Sequence, residues 1–430
     1  MAEGSSTAAR GEETPAPIWK SARYPLAVRT VNGIGRLRQR FGRRWPRLDA
    51  DEMLASARRR AGLSEFRDDL FLEGFRVLVA AFDTNPRNHA FGRHVFRQLC
   101  LSLLINRLKI DEELKRHPEI LDVPLARPLI ITGLPRSGTT FLHRLMSEDP
   151  AGRTLLYWET MAPAPSPRVE NYTTDPRIRL AQRSVNLVNR LAPQIQAAHH
   201  FAATEPEECN NLFAHEFRAG FLGFMFDVPD YVRWLNDQDR TPGYRSMKRQ
   251  LQILSRFVRR DYWVLKAPAH LFGLEALLTV FPDACIVQTH RDPRKVIPSV
   301  AMLAAGFRSL TADPIDFRQL GIEFVEAMAI GPELAIQART KADPSRFFDV
   351  RYETLVAHPV ETVRAVCAHF GYDFTPEYEQ RTRAHLAANP QHKHGVHRYS
   401  LDDFGLDAAT VDTAFAGYNA WVEENLGQPA

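Results

Sequence analysis

Residues 127–146, RPLIITGLPRSGTTFLHRLM, predict a strand, a tight glycine loop and the start of a helix. The apolar run from 128 to 132 is typical of a buried strand, and the apolar residues from 141 to 146 recur on one face of a helix. A loop of this kind directs backbone N–H groups at one point, and the helix start adds about half a positive charge. The stretch therefore predicts an anion-binding loop, with a plain turn as the other interpretation.

The loop is close to a Walker A sequence but lacks its lysine. Gly133 and Gly138 have the G-x-x-x-x-G spacing, yet the next position is Thr139, where an enzyme acting on nucleoside triphosphates needs Lys. The only cation inside the loop is Arg136. The sequence thus favours a phosphate cradle and disfavours a P-loop that cleaves ATP or GTP.

Composition predicts a soluble globular protein. The chain has 430 residues, of which 44% are hydrophobic and 25% charged. No apolar run approaches the roughly 18 residues of a membrane span. Residues 1–17 lack the apolar core of a signal peptide and are expected to be a disordered tail. The four cysteines are far apart, which indicates reduced thiols in a cytoplasm rather than disulfides or a zinc site.

Positive charge is concentrated in a basic arm at residues 20–47, with nine lysines and arginines and no acidic residue. Apolar residues recur at helical spacing within it: Val28, Val31, Ile34, Leu37 and Phe41. One interpretation is a helix at an anionic membrane surface, peripheral to the inner face of the membrane. The other is a solvated helix that packs its apolar stripe on the body. Nucleic acid is disfavoured because no reader motif accompanies the arm.

The chain divides into three predicted parts: a tail and basic arm (1–47), a helical N-terminal region (48–125) and an α/β domain (126–430). A helical insertion is expected at about 165–260, with helices over 175–195 and 206–224. Strands near 262–265, 284–289 and 347–352 alternate with helical patterns. This alternation predicts an α/β, P-loop-like three-layer fold whose central parallel sheet is flanked by helices.

Three turns of this predicted domain follow the carboxyl ends of strands, where parallel sheets bind ligands. They lie at 133–140, 266–268 and 290–293. In the third, Arg291 ends a strand and Ser299 lies about two helical turns further on. An Arg fork with a nearby hydroxyl predicts a second anion site, separate from the first. A structural arginine paired with Asp292 or with a carbonyl is the alternative.

Several motifs together resemble the family of sulfotransferases that use adenosine 3′-phosphate 5′-phosphosulfate (PAPS), in the form of its bacterial and tyrosylprotein-sulfotransferase-like members. They are GLPRSGTTFLHRLM at 133–146, Trp158-Glu159, WVLKAPAHL at 263–271, FPDACIVQTHRDPRKVIPS at 281–299, VRYETLVAHP at 350–359 and HRYSLDDFGL at 397–406. The resemblance covers about residues 50–425. It implies transfer of a sulfonate from PAPS to a hydroxyl or amine of a small-molecule, lipid or carbohydrate acceptor. It also implies release of adenosine 3′,5′-bisphosphate (PAP) without a metal.

The resemblance also implies a role for each matching residue. The 5′-phosphosulfate would be held by Pro135, Arg136, Ser137, Gly138, Thr139 and Thr140, with Arg136 facing the sulfonate. The 3′-phosphate would be held by Arg291 and Ser299. Lys266 would aid transfer near the leaving oxygen, and Glu159 would be the general base. A lid over the cofactor would contain Lys393, His397 and Arg398.

Alternatives remain for the base, the tail and the function. His199 or His200 could take the acceptor proton, as could Glu205, Glu207 or Glu208, for which a helix cap is the other interpretation. The histidine-rich tail could bind a metal or be a polar loop without a ligand. Instead of a sulfotransferase, the chain could be a P-loop kinase or NTPase, or a non-catalytic PAP-binding relative. The sequence defines neither the acceptor nor the oligomeric state.

Overall fold

A five-stranded parallel sheet forms the centre of the protein. The computed structural model describes residues 25–42, 44–191, 195, 201–389 and 399–427. The strands are β1 (Leu129–Gly133), β2 (Gly152–Thr154), β3 (Tyr262–Lys266), β4 (Cys285–His290) and β5 (Phe347–Arg351). Their order in the sheet is β2-β3-β1-β4-β5, and every pair is parallel. All residues of β1, β3 and β4 are buried, as expected for a parallel sheet covered on both faces.

Helices precede the sheet, connect its strands and follow it. Before β1 lie α1 (Leu26–Gln39), α2 (Ala50–Ala61), α3 (Leu70–Thr84) and α4 (Ala90–Arg116). Between β1 and β3 lie α5 (Thr139–Met146), α6 (Tyr157–Met161), α7 (Pro176–Leu191), α8 (Asn210–Ala214), α9 (Gly220–Met225), α10 (Pro229–Asn236) and α11 (Thr241–Ser255). The later helices are α12 (Leu274–Val280), α13 (Pro293–Arg308), α14 (Phe317–Arg339), α15 (Tyr352–Ala357), α16 (Pro359–Phe370), α17 (Pro376–Ala388), α18 (Ala408–Ala414) and α19 (Ala416–Leu426).

Two hydrophobic cores cover the two faces of the sheet. In β1, Leu129 and Ile131 join one core with residues of α5 and α16, whereas Ile130 joins a larger core on the opposite face. This alternation follows from the two-residue period of a strand. The predicted three-layer α/β fold is confirmed.

The N-terminal helices share the larger core with the sheet. Met53, Phe75 and Leu104 of α2, α3 and α4 belong to the same buried cluster as Leu265 and Ile286 of the strands. The predicted helical N-terminal region is therefore present and packs on the α/β part. The boundaries near residues 47 and 125 stay predictions.

The register of the sheet brings its predicted ligand turns to one edge. Ile131 of β1 is level with Lys266 of β3, and Gly133 is level with Thr289 of β4. The glycine loop, Lys266 and Arg291 therefore all follow the carboxyl ends of neighbouring strands, as the alternating pattern predicts.

The segment 206–224 is not the single helix that its apolar pattern predicts. It forms α8 and α9, separated by Phe217, whose backbone is left-handed with φ 50°. The phenol of Tyr231 holds this turn, donating to the carbonyl of Phe217 at 3.0 Å and accepting from the N–H of Ala219 at 3.1 Å. The break thus depends on a residue far outside the helical pattern.

The cysteine thiols and the helix lengths agree with the expectations from composition. Cys100, Cys209, Cys285 and Cys367 are all buried, and none forms a disulfide. Within the described ranges, every helix is too short or too polar to cross a bilayer.

Candidate active site

The glycine loop is held in shape from within and by β4. The hydroxyl of Ser137 donates to the carbonyl of Leu134 at 2.5 Å and lies 2.6 Å from the hydroxyl of Thr289. The Ser137 N–H also donates to that carbonyl, at 3.2 Å. Ser137 is fully buried. Its polar groups therefore stabilise the loop, and Thr289 is a supporting residue that the motif alone does not reveal.

Backbone conformation explains the glycine positions of the loop. Gly133 has φ 143° and Gly138 has φ 91°, and Arg136 between them is also left-handed at 67°. Gly138 directly precedes α5, and no side chain of the described residues caps that helix. The first N–H groups of α5 are thus available to an anion, in keeping with the predicted cradle.

Arg136 joins the loop to the predicted second anion site. Its Nε donates to the Ser299 hydroxyl at 3.1 Å, and its carbonyl accepts from Nη1 of Arg291 at 2.7 Å. The Ser299 hydroxyl in turn donates to Tyr399 at 2.6 Å. The two predicted sites are therefore adjacent, with Arg136 between them, rather than separate.

The guanidinium of Arg291 does not use all of its hydrogen-bond donors within the described part of the chain. Its guanidinium lies over the ring of Tyr352, 3.9 Å from the centroid. Its Nε is buried and has no hydrogen-bond partner among the described residues. An arginine guanidinium has five N–H donors, and those not used within the protein can bind a phosphate oxygen. Of the predicted structural pairings, the one with Asp292 does not form, because that carboxylate caps α13 through the N–H of Arg294. The pairing with a carbonyl does form, since Nη1 of Arg291 donates to the carbonyl of Arg136.

Lys266 connects the loop to a glutamate. It ends β3, is 1% exposed, and its ammonium donates to the Thr140 hydroxyl at 3.1 Å. The same ammonium pairs with Oε1 of Glu208 at 2.5 Å. The chain beside Glu208 is fixed to β3, since the N–H of Cys209 donates to the Lys266 carbonyl at 3.0 Å. A cation and a carboxylate therefore stand together at the end of the phosphate loop.

Glu159 has a different setting from Glu208. It is completely buried, and its Oε1 accepts from Arg153 at 2.7 Å while its Oε2 accepts from the N–H of Leu156 at 3.1 Å. Arg153 is fixed further by the carbonyls of Leu254 and Val258. Both oxygens of Glu159 are thus engaged by its own neighbourhood.

A buried histidine close to Lys266 is neutral. Burial lowers the pKa of His143 to about 3, and the nearby Lys266 charge contributes in the same direction. His143 is therefore poorly suited to carry a proton at neutral pH.

Five predicted site residues lie outside the described residues. They are His199, His200, Lys393, His397 and Arg398. Of the remaining set, Pro135 has no N–H to offer, while Thr139 is buried at the start of α5. Tyr352 and Tyr399 belong to quoted motifs, but their packing on Arg291 and Ser299 has no signal in the sequence. In the part of the chain that is described, no group of His, Cys, Asp and Glu side chains is placed to hold a metal ion.

The chain is similar to known sulfotransferases in both sequence and fold. A family model described as "Sulfotransferase family" matches residues 128–376. The omega-hydroxy-beta-dihydromenaquinone-9 sulfotransferase Stf3 of Mycobacterium tuberculosis is 26% identical over 289 residues, or 64% of this chain and 70% of Stf3.

Two crystal structures are similar over most of the chain. Sulfotransferase STF1 from Mycobacterium tuberculosis H37Rv is 34% identical with a TM-score of 0.77, covering 86% of this chain and 100% of STF1. Sulfotransferase STF9 from Mycobacterium avium is 32% identical with a TM-score of 0.81, covering 88% of this chain and 97% of STF9.

Proposed function

The chain belongs to the sulfotransferase family, and from this membership we propose how its residues transfer a sulfonate from PAPS to an acceptor hydroxyl. Lys266 and Glu208 form the transfer end of the site, while Arg136, Arg291 and Ser299 form its nucleotide end. The observation that carries the proposal is the pair of contacts that Lys266 makes, with Thr140 of the phosphate loop and with Glu208.

At the transfer end, Lys266 is suited to stabilise the leaving group and Glu208 to accept a proton from the acceptor. Negative charge develops on the leaving phosphate oxygen, and a lysine ammonium can stabilise it. The acceptor hydroxyl loses its proton as its oxygen bonds to sulfur, and a carboxylate can accept that proton. If Lys266 turns from Glu208 towards the donor, Glu208 is released to act as the base. Glu208 is favoured over Glu159 for this role because its side chain is 17% exposed and its partner Lys266 contacts the phosphate loop, whereas Glu159 is completely buried and paired with the buried Arg153.

At the nucleotide end, the unused capacity of Arg291 supports binding of the 3′-phosphate. Arg291 and Ser299 both contact Arg136, the first through its carbonyl and the second through its Nε. A phosphate at this position would also neutralise two neighbouring guanidinium groups. The N-terminus of α5 and Thr140 are proposed to hold the 5′-phosphosulfate. The roles of Lys393, His397 and Arg398 as a lid stay predictions.

The acceptor is proposed to carry its hydroxyl on an apolar body. Stf3, one of the relatives, is named for a menaquinone-derived acceptor. A small cleft in this chain is lined by Asn210 and by the aromatic rings of Phe213, Tyr244 and Phe272, together with Arg218 and Arg240. The amide of Asn210 donates to Glu208, so the cleft adjoins the proposed base.

The test is to combine nucleotide binding with turnover. We expect PAP to raise the melting temperature, while Mg-ATP leaves it unchanged because the Walker lysine is replaced by Thr139. Sulfur-labelled PAPS should then label long-chain alcohols in preference to matched amines. Stabilisation by Mg-ATP alone would favour a kinase or NTPase, and PAP binding without labelling of any acceptor would favour a non-catalytic relative.

A further inference from the structure

Helix α1 attaches to the body through only one of its faces. Val28, Asn32 and Gly35 are buried against α4. The side chain of Asn32 accepts from the N–H of Phe91 at 2.9 Å, and a Cβ on Gly35 would lie 2.3 Å from that of Ala90. The contact is therefore close and specific, and it fixes which face of α1 points outward.

The outward face carries large apolar side chains, which we call the α1 ridge. Its members are Leu26, Ile34, Leu37 and Phe41, with exposed fractions of 76%, 47%, 57% and 75%. The spacing of Leu26, Ile34 and Leu37 places them on one side of the helix, opposite the face buried against α4, and Phe41 follows in the turn after the helix end. The interpretation in which the stripe packs on the body is wrong for these residues: the close backbone approach at Gly35 leaves them no surface to cover.

Arginines border the α1 ridge on both sides. At 100° per residue, Arg29, Arg36 and Arg40 lie along one side and Arg38 along the other, and all four are exposed. No acidic residue occurs from 25 to 47. The guanidinium of Arg38 lies 5.4 Å from the ring of Trp45, a further exposed aromatic residue. Apolar side chains between cationic rows are the pattern of helices that lie in a membrane interface.

We propose that the α1 ridge binds the surface of an anionic lipid bilayer. Such a surface accepts both parts of the pattern, because the apolar side chains enter the interface while the arginines meet lipid phosphates. Nucleic acid would use the arginines and leave Leu37 and Phe41 in water. A second copy of the chain would bring equally charged rows together.

A second helix, α7, also exposes apolar residues in a stretch without acidic residues. No acidic residue occurs from 176 to 204, and α7 exposes Leu180 and Leu187. The buried side of α7 clusters with Phe307 at the end of α13, and the N–H of His89, which caps α4, donates to the nearby Thr311 carbonyl. The proposal rests on the α1 ridge alone and does not depend on the acceptor.

The experiment is vesicle sedimentation with the full chain. Vesicles of equal parts phosphatidylglycerol and phosphatidylcholine should bind the protein at least about tenfold more tightly than pure phosphatidylcholine. Leu37→Glu with Phe41→Glu should weaken binding to the anionic vesicles about tenfold or more. Arg36→Gln with Arg40→Gln should do the same, at about fivefold for each charge removed. Both pairs are exposed, so thermal unfolding should match the unmodified chain.

The matched control is Ile330→Glu with Leu334→Glu, which changes two exposed apolar residues at the same spacing on α14. This variant should bind vesicles as the unmodified chain does. Equal binding to both lipid compositions, or unchanged binding after the Leu37 and Phe41 substitutions, would overturn the proposal. So would a dimer that those substitutions convert to a monomer while vesicle binding is absent throughout.

Discussion

Glu159 and Glu208 have different hydrogen-bond partners, and we expect the two carboxylates to have different roles. Arg153 and a backbone N–H occupy Glu159, whereas Glu208 meets a lysine that also contacts the phosphate loop. A fixed, fully paired carboxylate contributes to the folded structure. One whose partner can turn to a ligand is able to exchange a proton.

We predict that Glu208→Gln lowers kcat by about 10²–10⁴-fold, because the amide cannot accept the acceptor proton. PAP should bind with nearly unchanged affinity, since the substitution leaves the nucleotide end intact. Single-turnover sulfonate transfer and PAP titration by calorimetry measure the two effects separately. Full activity in Glu208→Gln would refute the assignment of the base.

Glu159→Gln should instead act on stability. Removing its charge leaves Arg153 buried without its ionic partner, which we expect to cost about 3 kcal/mol of unfolding free energy. The folded fraction should retain its kcat, as measured at a temperature below the unfolding transition. If kcat falls as in Glu208→Gln while the protein stays folded, Glu159 is the base.

Arg291→Ala tests the nucleotide end. Loss of a charged hydrogen bond of about 1.5–3 kcal/mol should weaken PAP binding roughly 10- to 100-fold. Arg294→Ala is the control, because Arg294 lies one helical turn away and pairs with Asp412 at the surface. Equal affinity in both variants would place the 3′-phosphate elsewhere.

At the scale of the element, the glycine loop shows what the sequence predicts and what it leaves out. The spacing of Gly133 and Gly138 predicts the strand, the turn and the helix start, because few residues tolerate their backbone angles. It does not predict that Ser137 is committed to Thr289, since this contact requires β4 to lie beside β1. Likewise, the break at Phe217 escapes the apolar pattern because the bond to Tyr231 is tertiary.

Gly138→Ala should damage both the loop and its ligand site. A Cβ at this position would lie 3.0 Å from Leu355 and 3.1 Å from Tyr352, in a left-handed conformation. We expect a loss of about 1–3 kcal/mol in stability and at least about tenfold in PAP affinity. Thermal unfolding and PAP titration measure these losses.

Gly371→Ala supplies the control for backbone strain alone. Gly371 is left-handed with φ 70°, but no atom lies within 4 Å of its added Cβ. It should lose about 1 kcal/mol of stability and keep its PAP affinity. Similar PAP affinities in the two glycine variants would mean that the Gly138 position does not shape the ligand site.

At the scale of the whole molecule, short apolar runs alternate with helical patterns along the sequence. This alternation predicts a parallel sheet, because the strands of such a sheet are buried on both faces and are therefore apolar throughout. The apolar periodicity of α1 does not predict burial in the same way: Val28 is buried, but Ile34 and Leu37 of the same periodic set are exposed. Periodicity shows that a helix has an apolar side. Only the close packing of Gly35 on Ala90 determines which side meets the protein.

Buried histidines make the fold sensitive to mild acid. Burial lowers the pKa of His143 and His270 to about 3 and that of His89 and His215 to about 4. In the unfolded chain they titrate near 6.5. Above pH 6.5 these histidines are neutral in both states and do not lower the free energy of unfolding. Below that pH the unfolded chain binds protons that the folded chain does not, so the free energy of unfolding falls by about 2 kcal/mol per histidine at pH 5.

Urea unfolding at neutral pH and at about pH 5 measures this loss, in a range above the ordinary carboxylate pKa values. The slope of the free energy of unfolding against pH reflects the number of protons taken up on unfolding. His215→Gln should reduce that number by about one. A free energy of unfolding that stays constant or rises over this range would contradict the prediction.

The burial of all four cysteines has a practical consequence for labelling chemistry. Burial raises the pKa of Cys209 and of Cys367 to about 12, so almost no thiolate is present at neutral pH. Maleimides should therefore spare the natural thiols. A single cysteine introduced by Phe41→Cys would then carry a polarity-sensitive fluorophore two residues beyond the end of α1, and its emission would report the depth at which that end of the helix rests in lipid.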